Sequence, residues 1–129
     1  MDRKDYVSIE VAEIIRKNGY KIPTNVYYIN DHELVIVDDL SIIQKSTPAP
    51  RLYDVQKWLR NVYNINIMVG GSASGFWWEI HKNNGTYIAD YNYSGPNDAG
   101  KWDNYEDALD SCILSILNSK LLKNIKKNK

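Results

Sequence analysis

The order of elements in the second half of this chain narrows its fold more than any other feature. From about residue 51 to residue 117 an amphipathic helix, three β-like runs and a second amphipathic helix follow one another. Between the last two runs, 76–81 and 87–93, stands Asn84-Gly85. That dipeptide favours a tight hairpin, because both residues tolerate the positive φ that a two-residue connection demands. Three strands with short connections, flanked by helices, predict an α+β fold: a mainly antiparallel sheet with helices packed on one face.

The helices are legible in their periodicity. Tyr105, Ala108, Leu109, Cys112, Ile113, Ile116 and Leu117 recur at helical spacing. The last helix opens near Asp103 or Asn104, and Asp103 with Glu106 has the spacing of a capping box. Leu52, Val55, Trp58, Leu59 and Val62 mark a stripe over 51–63, with Asn64 placed to end it. Near the N-terminus, Ser8 precedes a helix carrying Ile9, Val11, Ala12, Ile14 and Ile15, which Asn18-Gly19 closes. Runs 26–29 and 34–37 flank a polar turn and read as a hairpin, and 40–45 as a short extended piece. The proline-rich connector 46–50 then forces extended geometry. A chain of 129 residues has room for one domain with a real core. The expected layout is a single domain over 1–129: helix plus hairpin in 1–47, helix, three strands and helix in 48–122, and a frayed basic tail in 123–129.

A two-residue turn at Asn84-Gly85 also predicts a register. Asn83 then pairs with Thr86, Ile80 with Ala89, Trp78 with Tyr91 and Phe76 with Tyr93, with Phe76, Trp78 and Ile80 facing the core. The opposite face pairs His81 with Ile88, Glu79 with Asp90 and Trp77 with Asn92. Directly opposed carboxylates are unfavourable unless solvated or neutralised. Glu79, His81 and Asp90 are therefore the candidate metal or ligand residues, and Trp77 and Asn92 complete a candidate binding face. Against the metal reading, two carboxylates and one imidazole on a flat sheet make a poor cage, and lysines such as Lys82 and Lys101 are available to pair with them.

Other chemistries fail on spacing or supply. Gly70-Gly71-Ser72-Ala73-Ser74-Gly75 and the 94–100 segment read as loops; neither has the Lys-Ser/Thr and following helix of a phosphate-binding loop. Only His32 and His81 are available as imidazoles, and no Gly-x-Ser-x-Gly elbow occurs. Cys112 lies on the apolar stripe of the last helix, where a buried thiol is inert. No catalytic residue and no cofactor is expected. Helix, three strands and helix is also the order of double-stranded-RNA-binding domains. Here, however, Asp103, Glu106, Asp107 and Asp110 stand where such domains use lysines on phosphates, so nucleic acid is not the expected partner. A weak contact through the lysine-rich tail is the alternative. Sixteen basic residues against sixteen acidic ones leave no net field to draw the chain to polyanions. No apolar run reaches the ~18 residues of a membrane span. The lone cysteine and the absence of a signal-peptide pattern imply a reducing, cytoplasmic setting.

The strings YVSIEVAEIIRKNGY, TPAPRLYDVQKWLRNVYNINI, FWWEI and NYEDALDSCILSIL together resemble a group of short proteins of gut Bacteroides-type bacteria and their phages or prophages. The likeness spans about 6–117 and rests on caps, helix stripes and packing aromatics. It implies an origin and carries no activity with it. The functional expectation is a small non-enzymatic accessory protein, binding a protein partner or itself through an aromatic sheet face or edge; the alternatives are a metal-dependent enzyme or ligand site at Glu79, His81 and Asp90, and a weak nucleic-acid binder through the lysine-rich tail.

Overall fold

Local signals open and close the helices of the computed structural model, which describes residues 2–30, 33–37, 46–90 and 95–124. Helix α1 spans Ile9–Lys17; the Ser8 hydroxyl accepts from the Val11 N–H at 3.3 Å, and Gly19 ends it at φ +70°. Helix α2, Leu52–Tyr63, stops at Asn64, whose φ of +59° is the left-handed conformation asparagine tolerates best after glycine. Helix α3, Tyr105–Asn118, is capped by Asn104, which accepts from the Asp107 N–H at 2.8 Å. The expected Asp103–Glu106 box is not the cap, because Asp103 instead accepts from Asn97 Nδ2 at 2.7 Å. A short helix, Leu121–Asn124, follows.

The fold is α+β, with two three-stranded antiparallel sheets. The chain divides into two compact units, Met1–Val55 and Gln56–Lys129, with the division inside α2.

In the first unit β1, Val26–Ile29, lies between β2, Glu33–Ile36, and β3, Thr47–Pro48. Val26 pairs with Ile36 and Ile29 with Glu33, as a hairpin requires. The Ala49 N–H continues the β3 side by donating to the Val26 carbonyl at 2.9 Å. Val7, Val11, Ala12, Val26 and Tyr28 are buried, and the Tyr28 hydroxyl donates to the Val7 carbonyl at 2.7 Å. The expected extended piece at 40–45 lies outside the described residues.

In the second unit β5, Gly75–Lys82, is central between β4, Ile65–Ser72, and β6, Tyr87–Asp90. Helix α3 packs across β4 and β5. It buries Ala108, Leu109, Cys112, Ile113 and Ile116 on the side where Ile65, Ile67, Trp78 and Ile80 are also buried. Each leucine or isoleucine among them contributes ~1.5–3 kcal/mol when fully withdrawn from water. The Asn83 amide ties the far hairpin to the end of α2, donating to the Arg60 carbonyl at 3.1 Å and to Asn64 Oδ1 at 3.0 Å.

Two details of this sheet depart from expectation. Gly70, Gly71 and Ser72 are not loop but the last residues of β4, facing Trp77, Phe76 and Gly75, so the connection is only Ala73-Ser74. At the other hairpin the turn is one residue longer than a two-residue loop. The Gly85 N–H donates to the Lys82 carbonyl at 2.9 Å, the Lys82 N–H to the Thr86 carbonyl at 2.8 Å, and only Gly85 has positive φ. A β-bulge at Ile88 then takes up the offset, so Ile80 still faces Ala89 and Glu79 faces Asp90, while His81 faces Tyr87 in place of Ile88. The expected partners Tyr91, Asn92 and Tyr93 lie outside the described residues, and Phe76 exchanges both backbone hydrogen bonds with Trp102.

Candidate functional site

Strand alternation divides the second sheet into a face under α3 and an open face. The open face carries Trp77, Glu79 and His81 from β5, Asn66, Met68 and Gly70 beside them on β4, and Tyr87 on β6. Asp90 holds the register position opposite Glu79. The expected residues Trp77, Glu79 and His81 are thus on one face. Asn92, expected beside Trp77, lies outside the described residues.

Each side chain is fixed by its neighbour. His81 Nε2 lies 2.9 Å from Glu79 Oε2, with 23% and 25% of the two side chains exposed. Residues two apart on a strand share a face, which brings this pair together without any loop. With the hydrogen on Nε2 the imidazole donates to the carboxylate. The Tyr87 ring meets the imidazole edge to face, centroids 5.7 Å apart. Trp77 is held differently. A Cβ built on Gly70 would meet Cζ2, Cη2 and Cε2 of Trp77 all within 2.7 Å. Three adjacent ring atoms at such similar distances mean approach to the ring's face, so the indole lies flat on the glycine backbone. Phe76 stands in the same relation to Gly71 on the other side of the strand, 3.1 Å from the corresponding Cβ position.

Glu79 and His81 present a hydrogen-bonded carboxylate and imidazole on this face. Among the described residues no serine, threonine or cysteine is hydrogen-bonded to His81. Cys112 is buried, and that burial pushes its thiol well above its ordinary range, which keeps it protonated. Burial raises the Tyr63 phenol as well. No group of three His, Cys, Asp or Glu among the described residues is placed to hold a metal ion; the Asp90 side chain is not among those described.

Met68 and Gly70 were not legible in the sequence as part of this face; Tyr87 was expected in the aromatic hairpin, but not against His81. Met68 and Gly70 join the face only through the pairing of β4 with β5, and Tyr87 reaches His81 only because Ile88 bulges. The glycine pair itself, seven and five residues before two aromatic residues in a hairpin, was the available signal.

No described helix is long and apolar enough to cross a membrane. Comparison of the chain with protein-family models, with curated proteins and with solved structures returns no match.

Proposed function

We propose that this chain is a small non-enzymatic interaction protein that engages a protein partner through the open face of the β4–β5–β6 sheet. The observation that carries this reading is the make-up of that face. Met68 is 43% exposed and Tyr87 54% exposed, and they stand beside the half-buried Trp77, His81 and Glu79. Aromatic residues and methionine are enriched at protein interfaces, and lysine is depleted. None of the residues placed on the face by register is a lysine or arginine. Lys101 reaches the turn end of the sheet, its Nζ 3.2 Å from Ser72 Oγ, but the register positions of the face itself offer no cation to phosphate-rich ligands, which are held by such groups. Following the resemblance of the sequence, the setting is a phage or prophage accessory role.

The test is affinity capture with the wild type, Trp77→Ala/Tyr87→Ala, and Tyr53→Ala as a control at an exposed tyrosine outside this sheet. A protein retained by the wild type and by Tyr53→Ala, and lost with the double variant, is the expected result. Equal retention by all three would place the contact elsewhere.

A further inference from the structure

The outer edge of β4 has a pattern that the face does not explain. Phe76 spends its backbone N–H and carbonyl on Trp102, on the β6 side of β5. By alternation Trp77 turns its own toward Gly70, so the backbone groups of Ile67, Val69 and Gly71 point away from the sheet. One of these is already taken: Gln56 Nε2 donates to the Ile67 carbonyl at 3.2 Å. Beyond that cap, among the described residues, nothing bonds the outward N–H and carbonyl of Val69 and Gly71.

Edge strands are usually protected by charge, proline or a bulge. Strand β4, Ile-Asn-Ile-Met-Val-Gly-Gly-Ser, has no charged residue and no proline, and pairs with β5 without a register shift. Met68, Gly71 and Ser72 are exposed.

We infer that the 68–72 edge pairs antiparallel with its twin in a second copy of the chain, about a twofold axis through Gly70. The register follows from which groups are open. With Gly70 facing Gly70 of the second copy, Val69 faces Gly71 in two symmetric, reciprocally hydrogen-bonded pairs, and every outward group of these residues is used. A two-strand edge of this kind is isologous, which a homodimer requires. The non-hydrogen-bonded pair at the axis is the one where backbones come closest, and it carries no side chain. The Trp77 indoles, each lying on its own Gly70, flank the axis on the open face. Met68 faces Ser72 across the interface, so no charge opposes its like. Gln56 on one side and the Ala73-Ser74 turn on the other limit the pairing to this stretch.

The interface is short, below the ~1,200 Å² total that stable complexes bury. The expected dimer is therefore weak and concentration-dependent. The experiment is sedimentation or light scattering up to concentrations on the order of 1 mM, on the wild type and two double variants. Met68→Lys/Ser72→Lys sets like charges opposite each other, and Lys101, whose Nζ is 3.2 Å from Ser72 Oγ, adds to the repulsion. Met68→Glu/Ser72→Lys sets opposite charges across the same pair. A wild-type dimer lost in the Lys/Lys variant and regained in the Glu/Lys variant is the expected result. A wild type monomeric throughout, or a dimer indifferent to both pairs of substitutions, overturns the inference. Amide exchange of the wild type gives a reading independent of variant folding: protection at Val69 and Gly71 must rise with concentration, and protection that stays flat overturns the interface.

Discussion

Gly70 has no positive φ to excuse it, and its reason is a neighbour: the Trp77 indole occupies the space a side chain would need. Gly70→Ala must displace the ring or bend the strand, and overpacking of this kind costs ~1–3 kcal/mol. The ring is the end of a side chain that can swing outward, so the lower half of that range is expected. Urea unfolding of Gly70→Ala, Trp77→Ala and the double variant measures it. The alanine at position 70 should cost markedly less once the indole is gone, and strictly additive losses would show that the ring does not lie on the glycine. Ser8, Gly19 and Asn64 were legible as helix ends because a cap answers to residues within one turn of it. Gly70 was read as loop because its reason lies across a strand pair.

The hairpin between β5 and β6 shows how an element can be right while its joint differs. Asn84-Gly85 does reverse the chain, and Glu79 and Ile80 keep their expected partners. The turn nonetheless leaves Asn84 at negative φ, its side chain accepting from the Thr86 N–H at 3.0 Å, and gives the positive φ of +89° to Gly85 alone. Gly85→Ala should therefore cost about 1–2 kcal/mol, the penalty of the left-handed region for an L residue. Asn84→Ala should cost only one exposed hydrogen bond, about 0.5–1.5 kcal/mol at most. Equal, large losses at both positions would indicate the two-residue turn instead. Such offsets are not written in local propensity: a longer turn and a bulge at Ile88 cancel, and the sequence pattern registers only their sum. Helix α3 was the most legible element, because its stripe is long and regular. Leu109 is 3% exposed beneath it. Leu109→Asp buries an unpaired carboxylate there, and loss of the cooperative thermal transition is expected; a retained melt would contradict the packing of α3.

At the scale of the whole molecule, the composition of the interior decides how the fold answers to pH. Among the described residues no charged side chain is buried. The groups that burial does shift, Cys112 and Tyr63, are both acids held in their neutral form, so both shift upward. The sign follows directly. A group whose folded pKa lies above its unfolded value binds its proton more tightly in the native state. Its stabilisation is complete below the unfolded pKa and is lost as pH rises from there toward the folded value. For a thiol that loss begins near pH ~8.5, and for a phenol near pH ~10. Thermal melts should thus show a midpoint that falls as pH is raised above about 8.5. Cys112→Ala should flatten the first part of that limb and leave the part above about pH 10 in place. Since the thiolate is the reactive form, alkylation of Cys112 at pH ~8 should be slow in the folded protein and fast in denaturant. Rapid alkylation without unfolding would mean that Cys112 is reached from solvent and that the interface between α3 and its sheet opens, contrary to the close packing on which the two faces of this sheet are distinguished.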